Sequence, residues 1–303
     1  MIAEKRINEN EKLCLTHNIA NGGDCSKFGH CSPFQNRHRR KEIRLPKSEI
    51  INMIRAKKHL GQHFLADKNI ARKIAELLPQ NNMPVLEIGP GTGVLTKFLI
   101  DLHKENLHVV ELDSESVEVL ERDIPELKDR IHFGDFLKLP LNEFFDGDFM
   151  VIGNFPYNIS SPILFKIIEH YKQIPIVVGM FQKEVAERIA TSHNSKQYGI
   201  LSVWTQIFYT VKYCFTVSEH VFIPPPKVKS GVILLERNVR DLKGVDPKFL
   251  LSVIKTAFNQ RRKTLRNSLS QLFDKQLLTD PVFDKRPEQL SVDDFIDLAY
   301  LLK

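Results

Sequence analysis

The residues best suited to chemistry stand at 154–157, where Asn-Phe-Pro-Tyr ends the run Phe149-Met150-Val151-Ile152-Gly153. An apolar run of this kind reads as a buried strand, and its carboxyl end is where open α/β sheets bind ligands. An amine attached to an adenine ring is a poor nucleophile, because its lone pair is delocalised into the ring. The side-chain oxygen of Asn154 and the main-chain carbonyl of Pro156 offer acceptors for its two hydrogens. Held by both, the nitrogen favours a pyramidal form whose lone pair points at an incoming methyl group. Tyr157 adds a flat face for the base, and such stacking is worth about 1–3 kcal/mol. No separate general base is evident. Direct displacement at a carbon on sulfur needs alignment and desolvation, and the proton can leave afterwards. The base must be accessible, so a loop nucleotide or a flipped base is expected. The plainer alternative is a turn with a buried tyrosine.

A methyl donor needs its own site, and the preceding residues supply the elements for one. Asp67 is placed to cap a helix with Ile70, Ile74, Leu77 and Leu78 on one face. Pro84–Ile88 reads as a short buried strand that runs into Gly89-Pro90-Gly91-Thr92-Gly93, and a helix with Leu95, Phe98, Leu99 and Leu102 follows. Strand, glycine turn and helix form a unit in which a ligand can approach the backbone closely. The dinucleotide pattern G-x-G-x-x-G fails, since its sixth position is Val94 counted from Gly89 and Thr96 counted from Gly91. The next strand, His108-Val109-Val110, ends in Glu111, whose carboxylate can accept both hydroxyls of a ribose. The alternative for Glu111 is an ordinary surface acid. Ile131–Asp135 sets Asp135 at the end of a further strand, where it can accept from an adenine amino group. This set resembles the S-adenosylmethionine site of class I methyltransferases.

Taken in order, the motifs resemble the ribosomal RNA adenine dimethyltransferases of the kasugamycin-sensitivity type, over about residues 56–303. The resemblance rests on Lys57–Leu65, Glu87–Gly91, Glu111–Asp113, Gly153–Ser160, Gln182–Val185, Tyr198–Val203, Phe222–Val228 and Ala257–Leu269. It implies dimethylation at N6 of two adjacent adenosines in the hairpin loop near the 3′ end of small-subunit ribosomal RNA. It also implies S-adenosylmethionine as donor, no metal, an immature 30S particle as partner and a late role in its assembly. A cytoplasmic monomer without a membrane span is expected. Carried over by motif, the cofactor contacts fall on His63, Leu65, Gly89, Gly91, Glu111, Asp135 and Asn154. His63 replaces the family's usual Asn; histidine can still donate a hydrogen bond there. Phe155 replaces Leu as an apolar filler. Phe181 is either a wall around the target base or core packing.

The chain is expected to fold as an α/β, Rossmann-like class I methyltransferase sheet over 53–238, with a small all-helical RNA-binding domain over 239–303. In that last part Phe249, Leu250, Val253, Ile254, Ala257 and Phe258 form one apolar stripe, and Ser291–Asp294 resembles a capping box before a final helix. Lys255, Arg261, Arg262, Lys263 and Arg266 place five positive charges between residues 255 and 268 with no acid among them. A run of charge is often a solvated face; beside a base-modifying motif it is expected to contact RNA phosphate. Pro224-Pro225-Pro226 stiffens a loop that carries Lys227 and Lys229.

Bulk properties say less. With 303 residues, 42% hydrophobic and 26% charged, whole-chain disorder and fibrous repeats are excluded. The net charge is +6, but residues 1–52 hold 10 basic and 6 acidic residues against 33 and 31 in the rest. The body is therefore almost neutral. Three of the four cysteines lie in the first 52 residues and Cys214 stands in an apolar stretch, where it reads as packed core. That distribution fits a reducing compartment and no disulfide framework. Cys25, His30, Cys31 and His38 lack the paired spacing of a zinc site. Residues 1–52 read as a basic disordered extension or as an artefact of gene prediction, with Met53 the favoured initiator; intact mass of the native protein separates these. Two enzymatic alternatives are methylation of large-subunit RNA and of DNA adenine. An alternative of another class is an assembly factor for which methylation is secondary.

Overall fold

The structure is a computed structural model, and it describes residues 55–303. The proposed extension and its cysteine and histidine candidates lie outside those residues. Alternating apolar runs and glycine or proline breaks give nine strands among the described residues. These are β1 (Phe64–Leu65), β2 (Val85–Ile88), β3 (Leu107–Glu111), β4 (Ile131–Phe133), β5 (Met150–Asn154), β6 (Ile176–Gln182), β7 (Tyr209–Val217), β8 (Phe222–Ile223) and β9 (Ser230–Arg237). Seven of them form one sheet in the order β4-β3-β2-β5-β6-β9-β7. All pairs from β4 to β6 are parallel, and β9 runs antiparallel between β6 and β7. Strands covered on both faces need no polar alternation, which is why β2 is buried at all four positions. The small β1–β8 pair sits apart from this sheet.

Helices α1 (Lys68–Ala75), α2 (Thr96–His103), α3 (Ser114–Asp123), α4 (Ser160–Glu169), α5 (Lys183–Ala190) and α6 (Ile200–Phe208) connect the strands. Asp67 caps α1 as expected, accepting from the N–H groups of Asn69 and Ile70. Asp113 caps α3 in the same way through Glu115 N–H. After β9 the chain is helical: α7 (Pro247–Asn259), α8 (Leu265–Leu269) and α9 (Val292–Leu301), the last with the expected Ser291/Asp294 capping box.

The step from strands to helices thus falls where the sequence placed it, but packing does not stop there. Leu250, Val253, Ile254 and Ala257 of α7 share one apolar cluster with Tyr198 and Val203. Phe258 lies edge-on to Tyr198 at 6.2 Å and stacks on Phe295 of α9 at 5.7 Å. The expected small C-terminal domain is therefore packed in one compact unit with the sheet. Cys214 is only half-buried, at a β-bulge in β7 between Tyr213 and Phe215, where the pleat alternation that would bury it fully is broken.

Candidate active site

The strand order sets the carboxyl ends of β4, β3, β2 and β5 side by side, and a cavity of about 280 Å³ opens there. His63, Leu65, Gly89, Gly91, Glu111, Asp135, Asn154, Pro156 and Tyr157, distant in sequence, all line it. Gly89 has φ +67°, and a Cβ added to it would meet nothing within 4 Å, so this turn faces open space. Gly91 has φ +56°, and a Cβ there would stand 2.8 Å from the ring of Phe64. A side chain at Gly91 would thus be strained and would displace β1 from its seat.

Glu111 is almost fully buried but well bonded. Its Oε2 accepts the Gly91 N–H at 3.0 Å, while Oε1 accepts those of Leu112 at 2.8 Å and Asp113 at 2.9 Å. Burial raises its pKa, and the three N–H groups oppose the rise. Asp135 accepts the Leu137 N–H at 3.0 Å from just past β4. Glu87 was not singled out in sequence, although an acid inside the run Val-Leu-Glu-Ile is the signal for it. It lines the same cavity, is 1% exposed, and its Oε2 has no hydrogen-bond partner among the described residues. Burial, reinforced by the charge of Glu111, pushes its pKa to about 8.

These residues fit an adenosine-bearing sulfonium. Ile88, Val110, Phe136 and Leu137 supply apolar walls for a flat ring, and Glu111 and Asp135 supply acceptors at two strand ends. The acidic lining suits a positively charged ligand.

At the end of β5 the Asn154 Nδ2 donates to the His63 carbonyl at 2.9 Å. With the amide nitrogen so engaged, Oδ1 is left as an acceptor on the other side. The Pro156 carbonyl accepts the Ile159 N–H at 3.1 Å and retains a second lone pair. The half-buried Tyr157 places its hydroxyl 2.6 Å from Ser230 Oγ. An acceptor pair beside an aromatic ring is what an exocyclic amine on a stacked base requires.

A family model described as ribosomal RNA adenine dimethylase matches residues 53–302. The chain belongs to the ribosomal RNA adenine dimethylase family. It is an S-adenosylmethionine-dependent adenine dimethyltransferase of ribosomal RNA. A Parabacteroides distasonis protein named ribosomal RNA small subunit methyltransferase A is 55% identical over 254 residues, covering 83% of this chain and 95% of that protein. A Flavobacterium johnsoniae protein of the same name is 56% identical over 249 residues, covering 81% and 95%. Among solved structures, a dimethyladenosine transferase from Plasmodium falciparum is 27% identical with a TM-score of 0.65, covering 78% of this chain and 96% of that one. The 23S rRNA methyltransferase ErmE is 25% identical with a TM-score of 0.58, covering 77% and 98%.

The geometry of this dimethylase bears on two residues named from the sequence. Phe181 is fully buried, packs edge-on against the equally buried Phe155 at 5.1 Å and is absent from the cavity lining. It packs in the core, because β6 runs beside β5 and brings its ring against Phe155. His63 does line the cavity, but its Nδ1 lies 2.8 Å from the Pro224 carbonyl, which can only accept. The donor expected to face the cofactor is thereby used, and in the neutral ring Nε2 is an acceptor. The clearer contribution of residue 63 is its main-chain carbonyl, which orients Asn154.

Sequence reasoning also missed the strap that carries residue 63. Lys57 Nζ lies 2.6 Å from Asp113 Oδ1 and 3.0 Å from Glu115 Oε1. Gln62 Nε2 donates to Asp113 Oδ2 at 3.0 Å, and its Oε1 accepts the Lys57 N–H at 2.8 Å. These bonds tie residues 57–62 to the start of α3. No local pattern announces a pairing 51 residues apart.

The five basic residues of the dimethylase divide in two. Arg266 is bound to Asp284 at 2.8 Å and to the Leu278 carbonyl, because α8 packs beside the turn containing residue 284. Its guanidinium is thus also engaged within the chain. Arg261 donates to the Ser195 carbonyl at 3.1 Å, and the Lys255 ammonium lies 5.7 Å from the Phe165 ring. Arg262 and Lys263 are exposed, and no ion pair holds either among the described residues. No group of three potential metal-ligating side chains occurs among the described residues, and no described helix is long and apolar enough to cross a membrane.

Proposed function

We propose that this dimethylase modifies two adjacent adenosines in the 3′-terminal hairpin loop of small-subunit ribosomal RNA. The product is N6,N6-dimethyladenosine, made on an immature 30S particle late in assembly by a cytoplasmic monomer. The choice of subunit is supported by the relatives named small subunit methyltransferase A, at 53–56% identity over most of their length. The observation that carries the chemistry is the Asn154 amide, turned by the His63 carbonyl so that Oδ1 remains the acceptor.

When bound, S-adenosylmethionine supplies an electrophilic methyl group on a cationic sulfur. Glu111 would accept from its ribose, Asp135 would accept from its adenine amine, and Gly89 and Gly91 would let it lie against the backbone. Asn154 Oδ1 and the Pro156 carbonyl hold the two hydrogens of the target amine, while Tyr157 stacks on the target base. The first transfer replaces one of those hydrogens, so the second needs only one of the two acceptors. The carbon–nitrogen bond forms as the carbon–sulfur bond breaks, and the surplus proton leaves the ammonium product to solvent. Arg262 and Lys263 contact phosphate, with Lys255 and Arg261 beside them.

Modification of large-subunit RNA is the second reading, favoured by the fold likeness to ErmE at lower identity. Immature small subunits incubated with the enzyme and donor should gain dimethyladenosine at two adjacent loop positions. A deletion strain that loses the modification only from large-subunit RNA would sink the proposal.

A further inference from the structure

Tyr157 belongs to the loop between β5 and α4, where no ladder hydrogen bonds fix its ring. Its hydroxyl nevertheless has a partner 2.6 Å away, the Oγ of Ser230. Ser230 is fully buried and opens β9, where its Cα pairs with Gln182 of β6 on one side and Val217 of β7 on the other. A hydroxyl held from both sides by strands is a fixed point; a loop tyrosine is not. The ring is also met by His63, with centroids 5.5 Å apart and planes tilted by 32°. His63 is in turn held by the Pro224 carbonyl at 2.8 Å. The tyrosine is thus clamped at its hydroxyl and beside its ring.

We infer that Ser230 is a positioning residue for methyl transfer, whose hydroxyl fixes the plane of the Tyr157 ring before the target base arrives. The inference rests on the reading that Tyr157 stacks on that base. A ring already held need not be immobilised when the base stacks, so the base meets the acceptors of Asn154 and Pro156 in register. Ser230 touches neither donor nor base in this account and acts only through Tyr157. A buried hydroxyl at this place also makes chemical sense, since an apolar residue would leave the phenol oxygen without its partner.

The test is a double-mutant cycle on the full chain, with initial rates of methyl transfer to immature small subunits. Ser230→Ala and Tyr157→Phe should each lower kcat by roughly 3- to 10-fold, leaving KM for the donor unchanged. The double variant should be no slower than either single one, because both delete the same bond. Wild-type kcat in Ser230→Ala, losses that multiply in the double variant, or an effect confined to the donor KM would each overturn the inference. If Ser230→Ala does not fold, Tyr157→Phe removes the bond from the loop side, and wild-type kcat there overturns it equally. Tyr157→Ala separates the two layers. Full activity in that variant refutes the stacking reading itself, whereas severe loss beside a wild-type Ser230→Ala refutes only the role of Ser230.

Discussion

The cavity at the carboxyl end of the sheet and the basic turn after α7 differ in how their polar groups are used. In the cavity two polar side chains are pinned, the buried Glu111 by three N–H groups and the partly buried Asn154 by the His63 carbonyl. The Asn154 bond leaves Oδ1 as an acceptor. In the basic turn the formal charge is larger than the charge available to a partner. Arg266 is spent on Asp284, Arg261 on a main-chain carbonyl, and Lys255 stands over an aromatic ring. Only Arg262 and Lys263 of the five are exposed without such a contact among the described residues. Buried polar groups thus gain specificity from their internal partners, while basic residues lose reach through theirs.

That contrast can be broken at its strongest point first. Asn154→Ala should cut methyl transfer by about 10²-fold or more, the scale of losing a positioned polar group aimed at the reacting atoms. Binding to immature particles should survive, as read by filter binding beside the rate. Near-normal transfer would refute the role given to the amide. Next in size, Glu111→Ala should weaken donor affinity by roughly 10- to 100-fold in calorimetry, since hydrogen bonds to a charged group are worth about 1.5–3 kcal/mol.

The basic turn provides the next comparison. Replacing Arg262 and Lys263 together by Gln should weaken RNA binding and lower the salt slope of log K by about 1.4–1.8, the release expected from two phosphate contacts. Arg266→Gln should leave that slope unchanged and cost less than about 1 kcal/mol of stability, because its ion pair is partly exposed. Equal slopes for both variants would erase the distinction between the two kinds of arginine.

A separate comparison, read as a function of pH, concerns Glu87. Its folded-state pKa is raised from 4.5 to about 8, so between those values the folded protein keeps a proton that the unfolded chain has released. Stability from this group is therefore full below about pH 4.5 and is lost as pH rises through about 8. Thermal unfolding without added donor should show Glu87→Gln gaining stability relative to wild type as pH rises across that window. A constant difference across the window would contradict it.

Much of the fold was legible because its signals are local. Short apolar runs, the glycine turn at 89–93, the caps at Asp67 and Ser291 and the stripe on α7 each report the conformation of a few adjacent residues. The proposed cofactor set could be named for the same reason: strand ends in an α/β chain are local features, and the sheet gathers them by topology. Phe181 was ambiguous because a strand residue points to one face or the other. Only the packing of Phe181 against the buried Phe155 showed which. The partner of the His63 ring was not legible, because Pro224 stands 161 residues away.

By itself the amino-acid sequence determined the alternation of strands and helices, the strand-end acids and the Asn-Phe-Pro-Tyr turn. Those depend on periodicity and residue type within one element. Tertiary structure alone decided which hydrogen-bonding atoms remain facing the cavity, which of five positive charges stay available, and that Ser230 holds Tyr157. Each of those outcomes depends on a partner brought close by folding, and a side chain's type does not disclose where its partner will be.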